Sequence, residues 1–352
     1  MKTKLDFLQK RFLRPERSRT FFVRRSRRTS LQENSPSTAL LAGARRSAQA
    51  VSETYARGLL LFLVAGALLL TACGGAKAPD PDNRLQALAT TSIVADVVQQ
   101  VGGEYVNLTV LMPVGTDPHE YSPRPQDAAA LADAQVIFAN GAGLEEFLQP
   151  LLESAGATDK LVEVSNGVSL LALDGETGSD PHTWMDPNNV IVWAQNIAAA
   201  LTAADPEHAA DYQANAEAYA ASLRDLDAWI RSEVEQIPEA NRLLVSDHAV
   251  LGYFAGTYGF STLGTITGSF STEAAPSAQE LAALEDAILA SGVKAIFVTE
   301  SSNQVMADQI AGDTGIQAVW LYHASLTDAS GPAPTYLEFM RYNVAAIVEA
   351  LK

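Results

Sequence analysis

The sequence of 352 residues has one cysteine, Cys73, which excludes a scaffold held together by disulfides. Its longest apolar run, LLLFLVAGALLL, has only 12 residues. It has no internal repeat and no long heptad pattern, and its 47% hydrophobic content is that of a folded protein. Collagen, coiled coil and global disorder are therefore excluded as descriptions of the whole chain. The length allows two domains of ordinary size, each able to bury a core.

Basic residues are scarce over most of the chain. Of the 24 Lys and Arg residues, 14 lie between Met1 and Arg57, a segment with only 4 of the 41 Asp and Glu residues. From Cys73 onward, 10 basic and 37 acidic residues give a net charge of −27. A protein body of this charge repels phosphate, so we expect no nucleic-acid partner despite the Arg-rich beginning.

The apolar run, Leu59 to Leu70, predicts a targeting signal and not a membrane span. As a helix it rises about 18 Å, whereas the core of a bilayer is about 30 Å thick. Arg57 precedes the run and small residues follow it, which is the layout of a secretory signal. The segment Leu70–Gly74, LTACG, resembles a bacterial lipobox. That resemblance implies cleavage before Cys73 and lipidation of this cysteine.

The region around this signal is excluded from reasoning about the fold. Residues 1–50 are either a long basic leader or translated upstream sequence from a wrongly assigned start, for example if Val51 is the true initiator. Residues 1–72 are thus predicted to be an N-terminal extension with a lipoprotein signal peptide. Residues 73–84 are predicted to be the lipidated cysteine and a flexible tether rich in Gly, Pro and charge. We therefore expect an extracytoplasmic lipoprotein anchored to a membrane.

From Leu85 onward, segments typical of strands alternate with segments typical of helices. The predicted strands are Leu85–Ser92, Val106–Met112, Val136–Asn140, Leu161–Val164, Arg242–Ser246, Phe260–Thr267, Ala295–Thr299 and Gln317–Tyr322. The predicted helices are Ile93–Val101, Pro125–Ala134, Leu144–Ala155, Asn188–Ala204, Ala249–Tyr258, Pro276–Ser291, Gln304–Thr314 and Thr335–Leu351. This alternation predicts an α/β protein with two lobes, each containing a mostly parallel sheet flanked by helices.

One long helix is predicted between the lobes, from Asp205-Pro206 to about Ile237. Its apolar side chains follow a 3.6-residue period, and about 30 residues would extend about 45 Å. They are Tyr212, Tyr219, Leu223, Leu226, Ile230, Val234 and Ile237. Such a helix could pack along both lobes and hold them apart, although a surface helix within one domain is the alternative. The predicted division is residues 85–204, 205–237 and 238–352.

Three of the five histidines stand in similar sequence settings. His119 and His182 each follow Asp-Pro, and His248 follows Ser-Asp directly after a predicted strand. Ligands of open α/β sheets bind at the carboxyl ends of strands, so a cleft between the lobes could gather all three imidazoles. Neighbouring carboxylates could accept the second ring N–H of each histidine. They are Asp117, Glu120, Asp180, Asp186 and Asp247. Three neutral imidazoles suit Zn²⁺, whereas Mn²⁺ would more often take carboxylate oxygens.

The segments that contain these histidines, together with three others, resemble those of a known family. The six segments are Thr91–Val94, Pro113–Pro125, Asp180–Pro187, His248–Ala255, Pro332–Tyr336 and Met340–Asn343. From Leu85 to Lys352 the chain resembles the metal-binding solute-binding lipoproteins of zinc and manganese ABC transporters. The resemblance implies two lobes bridged by a rigid helix, with the metal held between them by His119, His182 and His248. Manganese members commonly have a carboxylate at the third position, so His248 favours zinc.

Two features depart from that family. Its fourth ligand is usually an Asp or Glu just after the last strand, where this chain has Ala324. Glu300, His323, Asp328 or water could then fill the fourth position, and we interpret Glu300 as a supporting carboxylate. The loop rich in histidine that is common in zinc-specific members is also missing, because residues 173–180 read LDGETGSD. His208, near the start of the long helix, is expected to be solvated.

The favoured interpretation is a receptor and not an enzyme. It would capture a divalent transition metal, most favourably Zn²⁺ as the transported ligand, and deliver it as a monomer to an ABC permease. A manganese-specific member is the alternative. A zinc-dependent hydrolase would need an open coordination position and a base such as Glu120 or Glu300, but the sequence has no HExxH pair. An adhesin whose metal only stabilises the fold is a third hypothesis.

Overall fold

The structure is a computed structural model that describes residues 84–172, 178–273, 275–299 and 304–352. Cys73 and the predicted signal and tether up to residue 83 lie outside the described residues, as does Glu300. Within the described ranges, no helix combines the length and the apolar character that crossing a bilayer requires.

The first lobe is built on a parallel sheet of four strands in the order β2-β1-β3-β4. The strands are β1 (Leu85–Ala89), β2 (Val106–Val110), β3 (Val136–Ala139) and β4 (Leu161–Glu163). The helices that follow the first three strands are α1 (Ser92–Gly102), α2 (Pro125–Asp133) and α3 (Leu148–Ala155). All four residues of β3 are buried, as expected of a parallel strand that is covered on both faces.

Two consecutive helices lead to the second lobe. They are α4 (Pro187–Ala204) and α5 (Ala209–Val234), separated by a 3₁₀ turn at Pro206–His208. The apolar side chains predicted along α5 are buried, and α5 packs against α1 of the first lobe as well as against α4. At 26 residues α5 is somewhat shorter than predicted, because its first turn is 3₁₀.

The second lobe repeats the first with the strand order β6-β5-β7-β8, again all parallel. Its strands are β5 (Leu243–Ser246), β6 (Ser261–Thr265), β7 (Ala295–Val298) and β8 (Gln317–Trp320). Its helices are α6 (Gly252–Tyr258), α7 (Ala278–Ser291), α8 (Gln304–Thr314) and α9 (Tyr336–Leu351). The helix α9 packs on α5 from this side, so one long helix bridges the two lobes. The predicted fold class is confirmed.

Two predicted helices begin three or four residues later in the structure than in the sequence interpretation. The helix expected from Leu144 begins at Leu148. Glu145 turns its carboxylate back to accept the backbone N–H groups of Asn140 and Gly141, at 2.8 and 3.1 Å, so the chain makes a turn there. The helix expected from Ala249 begins at Gly252, because Ala249 donates its N–H to the carbonyl of Ser269 in a tight loop. Both of these differences occur in loops that follow the carboxyl ends of strands.

Asp96 on α1 connects the helices of the two lobes. Its Oδ2 accepts the backbone N–H of Tyr336, the first residue of α9, at 3.0 Å, and lies 3.5 Å from the hydroxyl of Tyr219 on α5. One carboxylate therefore caps α9 and fixes it against both α1 and α5.

The substitution Asp96→Ala should lower the free energy of unfolding by about 1–2 kcal/mol, because it leaves the N–H of Tyr336 without its cap. Urea unfolding measures this change. The matched control is Asp225→Ala, which removes an exposed acid from α5 and should change stability by less than about 0.5 kcal/mol. Equal stabilities for the two variants would contradict the role given to Asp96.

Candidate metal centre

The three histidines singled out in the sequence meet in one place. His119 lies in the loop after β2, His182 lies just before a 3₁₀ turn at Thr183–Met185, and His248 follows β5 by two residues. Each offers a ring nitrogen, and the three nitrogens lie within 4.8 Å of one another. His182 and His248 are buried, whereas His119 is half-buried. Two imidazoles come from the first lobe and one from the second.

The spacing of the imidazoles suits a shared metal ion. The Nε2 atoms of His119 and His182 are 3.2 Å apart. The ring centres of His119, His182 and His248 are separated by 5.3, 5.7 and 5.0 Å in the three pairs. A tetrahedral zinc ion with Zn–N bonds of about 2.0–2.1 Å separates its nitrogens by about 3.3 Å and the ring centres by about 5 Å. The centre therefore has the dimensions of a metal site.

A carboxylate stands behind two of the three rings. Oδ1 of Asp180 lies 2.7 Å from Nδ1 of His182, and Oδ1 of Asp247 lies 2.8 Å from Nδ1 of His248. Each of these oxygens also accepts the backbone N–H of the same histidine. This arrangement places the ring proton on Nδ1 and leaves the Nε2 lone pair for a metal.

Asp247 is itself held by the neighbouring strand. Its Oδ2 accepts the backbone N–H and the hydroxyl of Thr299, both at 2.9 Å. The other predicted carboxylate partners have different surroundings. Asp186 caps α4 and accepts the hydroxyl of Thr257, and Glu120 is exposed. Asp117 bonds the backbone N–H of His119 through Oδ1, while its buried Oδ2 has no hydrogen bond.

Burial keeps the imidazoles of His119 and His182 neutral. It lowers the pKa of His119 to about 3, with further contributions from His182 and His248, and it lowers the pKa of His182 well below its ordinary value. Burial also raises the pKa of Asp180 to about 7. Burial opposes ionisation of Asp247 as well, yet the facing imidazoles of His323 and His248 hold its pKa below the usual range. His119 and His182 thus present unprotonated nitrogens to the centre.

A second layer of contacts fixes the loop that carries His182. The amide of Asn140 donates to the carbonyl of Pro181 at 2.9 Å, and Glu145 fixes the backbone of Asn140. Gly252 is required on the other side, since an added Cβ would lie 2.7 Å from Oδ2 of Asp180. The sequence interpretation gave no role at the site to Asn140, Glu145 or Gly252, because no spacing rule connects their contacts with the histidines.

The candidates for the fourth ligand position differ in burial and in hydrogen bonding. His323 is buried, and its ring centre lies 5.6 Å from that of His248. Asp328 is exposed and accepts N–H groups of Ser330 and Gly331 in its own turn, so it does not join the cluster. Ala324 lines a cavity of about 360 Å³ together with His323.

The fifth histidine lies outside the centre. His208 is half-buried and not fully solvated as expected, because its ring stacks on that of Tyr105 at 4.1 Å and its Nδ1 lies 2.7 Å from Asp205.

Comparison with known proteins gives consistent matches along the described lobes. A family model described as the zinc-uptake complex component A, periplasmic, matches residues 88–350. The manganese-binding lipoprotein MntA of Halalkalibacterium halodurans is 34% identical over 288 residues, which cover 81% of this chain and 95% of MntA. The iron ABC transporter substrate-binding lipoprotein MtsA of Streptococcus pyogenes is 31% identical over 308 residues, 83% of this chain and 97% of MtsA.

Among solved structures, the periplasmic zinc-binding protein TroA of Treponema pallidum superimposes with a TM-score of 0.72 at 27% identity. The match covers 76% of this chain and 99% of TroA. The names of these three similar proteins specify three different metals.

The metal-free protein should lose stability as the pH falls from about 7 to about 5. The unfolded histidine pKa is about 6.5, whereas burial lowers the pKa of His119 and His323 to about 3, so acid protonates the unfolded chain preferentially. Asp180 acts in the opposite sense, because its raised pKa makes the folded state take up a proton. These imidazoles outnumber the single carboxyl group of Asp180. Each imidazole that Asp180 does not offset lowers the free energy of unfolding by about 1.4 kcal/mol per pH unit.

Thermal unfolding after treatment with a chelator, at a series of pH values, measures this loss. The variant His323→Gln should show a shallower decline, because one titrating imidazole is gone. A melting temperature that stays level or rises on acidification would contradict the neutral imidazole cluster.

Proposed function

The chain belongs to the zinc-uptake complex component A family of periplasmic proteins, and on that premise we propose that it holds its metal at His119, His182 and His248. Members of this family are substrate-binding proteins of ABC transporters and not enzymes, so the chain captures a divalent metal for delivery to a permease. The observation that carries the ligand assignment is the convergence of three ring nitrogens within 4.8 Å.

Zinc is the metal that we propose. The relatives do not decide the matter, since MntA is named for manganese, MtsA for iron and TroA for zinc. The donor set supports zinc because two of the buried carboxylates beside it, Asp180 and Asp247, are already bonded to imidazole N–H groups. Nitrogen donors suit Zn²⁺, whereas Mn²⁺ is better served by carboxylate oxygens. A manganese receptor is the second candidate, supported by the 34% identity with MntA.

The proposal includes a lipid anchor on Cys73 and a position outside the cytoplasm. Support comes from the lipobox-like sequence LTACG and from the names of MntA and MtsA, which are called lipoproteins. We also propose that the protein is a monomer, with lobes at residues 85–204 and 238–352 joined by residues 205–237. The strongly acidic composition after Cys73 would favour the approach of a cation.

Replacing any one of His119, His182 and His248 by alanine should weaken Zn²⁺ binding by more than about 100-fold, because loss of a ligand exceeds the 10–100-fold effect typical of its supporting partners. Competition titration against a chelator of known affinity measures this loss. His208→Ala is the matched control and should bind like the unaltered protein, since its ring stacks on Tyr105 away from the centre. Unchanged affinity in all three ligand variants would refute the site.

The substitution His248→Glu should shift selectivity towards manganese. It exchanges a nitrogen donor for a carboxylate oxygen, which Mn²⁺ prefers, so the ratio of Zn²⁺ to Mn²⁺ affinity should fall by about tenfold or more. Parallel titrations with the two ions measure that ratio, and His208→Glu controls for the added charge. An unchanged ratio would show that the third ligand does not determine the metal.

A further inference from the structure

His323 combines complete burial with unsatisfied ring nitrogens. Its side chain has 0% relative exposure, and neither Nδ1 nor Nε2 makes a hydrogen bond to any of the residues that the structure describes. Buried polar atoms in proteins nearly always have a partner, and a bound ion is one explanation for a group without one. The backbone of His323 is fixed as well, because its carbonyl accepts the indole N–H of Trp184 at 2.7 Å. Trp184 is two residues from His182, so this bond ties His323 to the metal centre.

The ring of His323 is spaced from that of His248 as the other three rings are spaced from one another. Its centre lies 5.6 Å from that of His248, within the 5.0–5.7 Å range of the pairs among His119, His182 and His248. A shared tetrahedral metal separates ring centres by about 5 Å. With Asp247 and His248, His323 forms a second group whose donor atoms lie within 4.8 Å of one another. His323 thus adjoins the centre on the side of His248.

Asp247 can support His323 in the way that it supports His248. Its Oδ1 lies 2.8 Å from Nδ1 of His248 and 3.5 Å from Nδ1 of His323. A small rotation of the His323 ring would turn the longer contact into a hydrogen bond and leave Nε2 free for a metal. The cavity of about 360 Å³ beside His323 and Ala324 provides room for that rotation.

On these grounds we propose that His323 supplies the fourth ligand to the metal held by His119, His182 and His248, which makes the site an all-imidazole site. This inference rests on the proposed function and adds to it the residue that selects the metal. Four nitrogen donors favour Zn²⁺ over Mn²⁺ more strongly than three do, because Mn²⁺ suits oxygen ligands. The side chain of Ala324 has no donor atom, so the neighbouring His323 completes the coordination.

Asp117 is the rival for the fourth position. Its Oδ2 is buried without a hydrogen bond and it lines the same cavity. Its Oδ1 is held at 2.9 Å by the backbone N–H of His119, which restricts the turn that would bring Oδ2 to the metal. An Asp117 ligand would give three nitrogens and one oxygen, so the two assignments predict different spectra.

Titration of the unaltered ¹⁵N-histidine-labelled protein with Zn²⁺ tests the proposal, and the variants His208→Gln and His323→Gln serve only to assign two of the five signals. At one equivalent, the ring nitrogens of four histidines should move to metal-bound positions, while those of His208 stay unchanged. If only His119, His182 and His248 respond, the fourth-ligand inference is wrong and the proposed function stands. If those three do not respond, the proposed function itself fails.

Metal titrations of variants provide the second arm. His323→Gln should lower Zn²⁺ affinity by about tenfold or more with a smaller effect on Mn²⁺. It should also shift the visible absorption of bound Co²⁺, because an oxygen donor replaces a nitrogen donor. Asp117→Asn should leave the Co²⁺ spectrum unchanged. A Co²⁺ spectrum that changes in Asp117→Asn and persists in His323→Gln would overturn the proposal in favour of the carboxylate. The double variant His323→Gln, Ala324→Asp should regain affinity with its preference moved towards Mn²⁺.

Discussion

The candidate metal centre depends on hydrogen bonds between buried carboxylates and imidazoles. Asp180 and Asp247 each hold a ring N–H, so that His182 and His248 turn their free nitrogens inward. Without these bonds the rings could rotate or exchange tautomers, and the convergence of lone pairs would be lost. Each pair joins residues at most two positions apart, so the bonds can form locally. Long-range folding then has only to bring two prepared loops together.

The architecture brings those loops together through the edges of two similar sheets. In the first lobe His119 lies in the loop after β2 and His182 in the segment after β4, and in the second lobe His248 follows β5. All three motifs thus come after the carboxyl ends of strands, which is where parallel sheets bind ligands. The long helix α5 lies against α1 and α9, and the Asp96 cap fixes α9 to the first lobe. Trp184 and Tyr336 add bonds between loops on either side, since Trp184 donates to His323 and accepts from Tyr336. These contacts therefore fix the separation of the two lobes around the centre.

The fold class and the three central histidines could be predicted from sequence because their signals are local. Strand and helix periods, and the Asp-Pro-His and Ser-Asp-His triplets, are read within a few residues. The turn at Glu145 could not be predicted in this way. Its sequence suits a helix, and the carboxylate turns back only because Asn140 and Thr90, which lies on another segment, both donate to it. Its effect on His182 passes through the Pro181 carbonyl, a contact between distant segments.

The surroundings of His323 show why the fourth position was left open by sequence reasoning. A histidine after a strand is unremarkable in sequence, and Asp328 a few residues later offers the more usual metal-binding oxygen. The structure separates them, since Asp328 closes its own turn while His323 is buried beside Asp247 with both nitrogens unpaired. Burial without a partner is unfavourable unless a ligand arrives. The same arrangement that makes His323 unfavourable in the metal-free protein would therefore strengthen the binding of a metal that suits nitrogen ligands.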